Sequence, residues 1–287
     1  MTDTGPDQVA RIRMKFSRWL PWYNRIATNL GYSIDKDRQA TQALRDMLSG
    51  VTQPLHLLKK EIQDKHAIVF GAGPSLEKNL SELISNNLQK SFTLVVADGA
   101  TSAFLEKSII PQVVVTDLDG RIEDIIKASK LGSAIVIHAH GDNIEALTEW
   151  VPKMTESPGG KVFGTTQVEP CLPIVHNFGG FTDGDRAAFL AEEMAAKTIV
   201  LGGMDLGTTI GRYSKNGASD FSRREENSWL ANKRAKLQFA KELLEWLATW
   251  SRAEGGLFNA TGPRGETIKG FTNIGFKNLK KAIMPTS

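Results

Sequence analysis

Apolar residues first recur at helical spacing. Trp19, Leu20, Tyr23, Ile26 and Leu30 lie three to four residues apart, with Pro21 expected to interrupt or restart the helix. Leu44, Met47 and Val51 repeat that spacing, and Gly50 offers a stop. From His66 the texture changes to short continuous apolar runs: Ala67–Phe70, Leu94–Ala97, Val113–Val115, Ala134–Ile137 and Thr198–Leu201. Amphipathic stretches at Leu76–Leu88, Thr101–Lys107, Ile122–Leu131 and Asn143–Trp150 each follow one of the first four runs and suit crossover helices. Runs apolar on both faces, alternating with such helices, predict an α/β fold with a mostly parallel, Rossmann-like sheet flanked by helices. Residues 160–178 lack a clear period and are expected to hold irregular strands. A helix is expected over Arg186–Ala196 and a long one over Trp229–Trp250, with a polar, glycine-rich lid or substrate loop at Gly207–Asn227. The chain thus divides into a helical N-terminal region (1–62), an α/β catalytic region (63–255) and a C-terminal extension packed on it (256–287).

Composition narrows the function classes. The 287 residues carry a net charge of +3, which excludes a strongly basic nucleic-acid binder by composition. No apolar run reaches the ~18–20 residues that cross a bilayer, and the N-terminus has no apolar core of a signal peptide. One cysteine, Cys171, forms no internal disulfide and reads as a small buried hydrophobe. A cytoplasmic protein is expected. The clustered aromatics Trp19, Trp22 and Tyr23 suit core burial, with a homodimer face as the alternative.

Each apolar run ends in Gly, Asp or His, and ligands of open α/β sheets bind outside the carboxyl ends of the strands. Gly71-Ala72-Gly73-Pro74-Ser75 lies between a strand and a helix, where glycines admit close approach and a helix N-terminus favours phosphate. It lacks the third glycine of a dinucleotide fingerprint and the Lys of a Walker loop. The alternative is a tight turn with Ser75 as N-cap. Asp98 ends the second run. In Thr116-Asp117-Leu118-Asp119-Gly120, extended geometry would put Asp117 and Asp119 on one side, a hard oxygen site for Mg²⁺, although Asp119 could instead cap the next helix. His138-Ala139-His140-Gly141-Asp142-Asn143 has zinc-like spacing but too few further histidines, so His138 and His140 read better as substrate or phosphate binders. In Asn177–Arg186, Phe178 and Phe181 offer an aromatic face, and Asp183 and Asp185 could read a heterocycle's polar edge or hold a metal. Thr182-x-x-Asp185 also fits a capping box. Asp205 follows the fifth run, as a ligand-binding carboxylate or a turn residue. Arg223, Arg224, Lys233, Arg234, Lys236 and Lys241 form a basic helical stretch, either solvated or with Lys233 and Lys236 clamping a polyphosphate.

Taken in order, GAGPSL (71–76), TDLDG (116–120), HAHGDN (138–143), NFGGFTDGDRA (177–187) and KRAKL (233–237) resemble the archaeal MptE-like 6-hydroxymethyl-7,8-dihydropterin diphosphokinases, over about residues 40–255. That family is similar to thiamin pyrophosphokinase in its catalytic domain. The resemblance implies Mg²⁺-dependent transfer of the terminal diphosphate of ATP to the hydroxymethyl group of a reduced pterin, releasing AMP, in folate- or methanopterin-type cofactor biosynthesis. Under it, Asp117 and Asp119 hold Mg²⁺, Gly71, Gly73 and Ser75 cradle phosphate, and Lys233 and Lys236 compensate charge. Pro74, Asp98, His138, Asn143 and Asp205 join the substrate site. Phe178 or Phe181 stacks on the pterin, and Asp183 or Asp185 binds its edge. Asp117, Asp119 and His140 stay open as the general base. GPSL also resembles the nucleotide loop of some sialyltransferase-like glycosyltransferases, the alternative reading.

Overall fold

The computed structural model describes residues 6–51, 54–156, 160–207, 209–214, 223–263 and 265–284, with side chains from residue 16 and, in the last long helix, from residue 228. Three helices come first: α1 (Pro6–Leu30), α2 (Ile34–Leu48) and α3 (Leu55–Ile62). Contrary to the expected break, α1 runs through Pro21. The proline is on the solvent face, where water can satisfy the carbonyl it releases.

Strands and helices then alternate: β1 (His66–Phe70), α4 (Leu76–Ser85), β2 (Thr93–Ala97), α5 (Ala100–Glu106), β3 (Val113–Thr116), α6 (Ile122–Lys130), β4 (Ala134–Ala139), α7 (Ile144–Thr155), β5 (Lys161–Thr166) and β6 (Val175–His176). The later elements are α8 (Asp183–Glu193), β7 (Thr198–Gly202), α9 (Arg223–Ala248), β8 (Leu257–Asn259), β9 (Thr272–Asn273) and α10 (Phe276–Ile283). Among the described residues, no helix is long and apolar enough to cross a membrane.

The nine strands of the described residues pair in parallel in the order β6-β5-β4-β3-β2-β1-β7-β8-β9. Alternate strand residues enter opposite cores, which explains the continuous apolar runs. Ala67, Val69, Val95 and Val115 face a core built with α1, α3, α8 and α9. Ile68, Phe70, Leu94 and Val96 face α4, α5 and α10, and Val114, Ile135 and Ile137 face α2, α6 and α7. Cys171 is half-buried at the edge of the latter core, less covered than its reading as a buried hydrophobe.

The chain adds strands outward from β1 to β6 and then returns to place β7 on the other side of β1. That reversal opens a crevice above the carboxyl ends of β1 and β7, the usual ligand position in such sheets.

Candidate active site

A cleft of about 930 Å³ lies above this switch point. Its walls include Gly71, Gly73, Pro74, Asp98, Asp117, Asp119, His138, His140, Asn143, Phe181, Asp183, Asp205, Lys233 and Lys236. Ser75, Phe178 and Asp185 are not among the lining residues.

The glycine loop at the end of β1 differs from the expected phosphate cradle. Gly71 N–H donates to Gly202 O at 3.0 Å and Gly73 N–H to Gly203 O at 2.8 Å. Ser75 donates to Asp205 Oδ2 through both its amide (3.1 Å) and its hydroxyl (2.8 Å). All three amides are engaged within the protein, and a carboxylate occupies the place expected for phosphate. The glycines are needed for this close approach: a Cβ on Gly73 would lie 2.6 Å from Gly203 O and 2.1 Å from Asp205 Oδ2. The loop therefore fixes Asp205 on the cleft wall.

Three carboxylates meet beside it. Asp98 follows β2, Asp117 follows β3 and Asp183 opens α8, and one oxygen from each lies within 4.8 Å of the others. Asp98 is 3% exposed, and its Oδ2 accepts from Thr116 Oγ1 at 2.5 Å and from Gly120 N–H at 3.3 Å. Asp119 lines the cleft but is outside this trio. The reason is local: Leu118 adopts φ +63° and buries its side chain, so the two-residue alternation of extended backbone does not carry from Asp117 to Asp119. Burial, and then the charges of Asp117 and Asp98, push the Asp183 carboxyl well above the ordinary carboxylate range, while Arg186 opposes the shift. Hard oxygen donors whose mutual repulsion a cation would relieve fit Mg²⁺. The start of α8 adds a helix N-terminus that favours the Asp183 carboxylate.

The histidine segment braces the trio. His140 Nε2 lies 3.3 Å from Asp117 Oδ2, and His140 Nδ1 accepts from Asp142 N–H at 3.3 Å. That network assigns the proton to Nε2, aimed at Asp117. His138 is buried and stacks on His140 at 5.8 Å. Burial first, and then the Arg186 and His140 charges, hold His138 well below its usual pKa. That burial favours the uncharged ring, and His138 stays on the cleft wall. The Asn143 side chain, also on the cleft wall, is an internal clamp. It donates to Asp117 O (2.8 Å) and His138 O (2.7 Å) and accepts from His140 N–H (3.0 Å).

At the start of α8, Asp185 is buried and closes a capping box with Thr182, accepting Phe181 N–H at 2.6 Å and Thr182 N–H at 2.8 Å. It caps rather than reads a substrate. Phe178 is buried in the core and stacks on His176 at 5.5 Å, which leaves Phe181 as the aromatic of that motif on the cleft. Lys233 and Lys236 reach the cleft from α9, and Lys236 Nζ is 5.5 Å from the Tyr32 ring centre. Within the expected lid, residues 208 and 215–222 lie outside the described residues, as do the side chains of Arg223 and Arg224.

Four further residues escape sequence reasoning. Arg186, 1% exposed, donates Nη2–H to Phe181 O at 2.7 Å and carries a charge that Asp183, Asp185, Asp117 and Asp37 all feel. Asp37 of α2 is buried, accepting from the Tyr23 hydroxyl, from Gly141 N–H at 2.7 Å and from Gln167 Nε2 at 2.7 Å. Gln167 and Tyr32 line the cleft. The N-terminal helices are thus bolted to the histidine segment.

Three comparisons bear on this site. Residues 38–211 match the model of a family described as 6-hydroxymethylpterin diphosphokinase MptE-like. The chain belongs to the MptE-like family. It is 48% identical over 244 residues to a 6-hydroxymethyl-7,8-dihydropterin pyrophosphokinase of Pyrococcus furiosus, covering 84% of this chain and 97% of that one. The protein of the same name from Methanothermobacter thermautotrophicus is 41% identical over 239 residues, covering 82% and 95%. A MAf glycosyltransferase from Magnetospirillum magneticum AMB-1 superimposes with a TM-score of 0.50 at 15% identity, over 87% of this chain and 39% of that chain, a likeness of fold alone. Within this MptE-like chain, the family match contains Asp98, Asp117, Asp183 and Asp205, whereas Tyr32, Asp37, Lys233 and Lys236 reach the site from outside it.

Proposed function

We propose that the chain is a 6-hydroxymethyl-7,8-dihydropterin diphosphokinase that uses ATP and Mg²⁺. The hydroxymethyl oxygen of the reduced pterin attacks the β-phosphorus of ATP. A new O–P bond forms there, the bridge between the α- and β-phosphates breaks, AMP leaves with the bridging oxygen, and the hydroxyl loses its proton. The observation that carries this reading is the convergence of Asp98, Asp117 and Asp183 from three separate segments on a cleft that also receives two lysines. Those three carboxylates would hold Mg²⁺. When bound, the ion supplies charge neutralisation on the diphosphate oxygens.

The chain's own groups do the remaining work. Lys233 and Lys236 bring positive charge from α9 to the transferring diphosphate. His140 donates to Asp117 and fixes the rotamer of that carboxylate. Arg186 offsets the charge of the buried carboxylates and fixes Phe181 through its carbonyl. Asp119, on the cleft wall, is the group to receive the hydroxyl proton. Positioning and electrostatics dominate transfers of this kind.

Incubation with reduced hydroxymethylpterin, ATP and Mg²⁺ tests the reading. AMP and pterin diphosphate in equal amounts are expected. ADP would contradict diphosphate transfer, and release of CMP from a CMP-sugar with no AMP from ATP would favour the glycosyltransferase.

A further inference from the structure

We infer that Tyr32 and Phe181 form the wall against which the flat bicyclic ring of the acceptor stacks, so that a residue of the N-terminal helices sets acceptor affinity. The inference rests on the diphosphokinase reading and assigns a subsite within it.

Both rings are held at rigid junctions. Gly31 takes φ +71° and Tyr32 N–H donates back to Ala27 O at 3.0 Å, which closes α1 and turns the chain. Ser33 follows at once as the N-cap of α2, accepting from Lys36 N–H at 3.3 Å. Tyr32 is therefore fixed between two caps. Phe181 is pinned from both sides, its N–H by Asp185 at 2.6 Å and its carbonyl by Arg186 at 2.7 Å. The two ring centres are 6.0 Å apart at 55°, and Phe239 backs Phe181 edge-on at 6.4 Å. Both rings are only partly buried and both line the cleft, so they form an aromatic corner rather than part of the core.

The position of this corner selects its occupant. Phe181 precedes Asp183, one of the three converging carboxylates, by two residues, at most roughly 7 Å of chain. In hydroxymethylpterin one carbon separates the ring from the attacking oxygen. In ATP a ribose and the α-phosphate separate the base from the β-phosphorus. A ring held this close to the reacting centre belongs to the acceptor. Rigid aromatic faces bind such rings at little cost in ordering.

The test compares wild type with Tyr32→Leu, Tyr32→Phe and Phe181→Leu. Dihydropterin binding is followed by its fluorescence without ATP, and both KM values are measured in turnover. Tyr32→Leu and Phe181→Leu should weaken pterin binding and raise the KM for pterin on the order of tenfold while the KM for ATP moves less than twofold. Tyr32→Phe, which keeps the ring, should restore most of that loss. Thermal melts identify any variant that fails to fold, and Tyr32→Phe then carries the comparison against Phe181→Leu. A rise in the KM for ATP instead would give the wall to adenine and overturn the inference. So would unchanged pterin affinity, or a fall in kcat with both KM values unmoved. Wild-type pterin binding without AMP formation would defeat the transfer reading while leaving this subsite standing.

Discussion

Gly120→Ala is a probe of Asp98 that leaves every carboxylate in the sequence. Gly120 does not adopt a positive φ, so alanine fits the backbone. The difficulty is spatial: the new Cβ would lie 1.9 Å from Asp98 Oδ1, against the 3.0 Å that real Cβ atoms keep. The carboxylate must recede by at least the difference, 1.1 Å. It has little room, being 3% exposed and tied to Thr116 Oγ1 at 2.5 Å. Misplacing a reacting constellation by about 1 Å costs roughly a hundredfold in rate. Overpacking a buried site costs about 1–3 kcal/mol of stability. The variant should therefore fold, lose about two orders of magnitude in kcat/KM for AMP formation and bind Mn²⁺ at least about tenfold more weakly. Adding Asp98→Asn to it should cause little further loss, because both changes act on one group. A Gly120→Ala protein with full turnover and full Mn²⁺ affinity would remove Asp98 from the site.

Asp183→Asn should stabilise the metal-free protein increasingly as pH rises. A carboxyl whose folded pKa is raised binds more protons folded than unfolded, so wild-type stability falls as pH rises from the unfolded value, about 3.8, through the folded one. Urea unfolding in EDTA should show this slope in wild type and a flatter one in the variant; parallel curves would refute the shift. Asn143→Ala removes three internal hydrogen bonds and orphans two carbonyls, and should cost about 3 kcal/mol in urea unfolding with an unchanged m-value; a loss under about 1 kcal/mol would deny the clamp. Asp119→Asn should move Mn²⁺ affinity less than about threefold while Asp117→Asn lowers it more than about tenfold. Equal losses would restore Asp119 as a ligand.

Much of this molecule is legible in its sequence because the sheet is parallel and covered on both faces. Strands such as Leu94–Ala97 then read as unbroken apolar runs, and their ends mark the ligand edge, Asp98 included. The runs fail for β6 and β9, which have two residues each and are placed by neighbouring strands rather than by their own pattern. The carboxylate trio is half visible in the sequence. Asp117 lies on the cleft where the strand ends place it, but pairing it with Asp119 assumes extended backbone, and a leucine in the left-handed region is not a signal that residue type gives. Its true neighbours, Asp98 and Asp183, are 19 and 66 residues away in sequence, and only the sheet order unites them. Asp37 and Arg186 look like solvated helix residues, yet tertiary packing buries both. The Asp183-Gly184-Asp185-Arg186 run, with a base directly after two acids at a helix start, was the available hint for Arg186.

On the proposed function, Asp98, Asp117 and Asp183 would jointly hold the divalent cation of the reaction. Anomalous diffraction from crystals soaked with Mn²⁺ and a non-hydrolysable ATP analogue tests it most directly. A manganese peak in contact with oxygens of all three side chains and the analogue's phosphates is predicted. A peak on Asp119 away from Asp98 and Asp183, or no peak in the cleft at all, would contradict it.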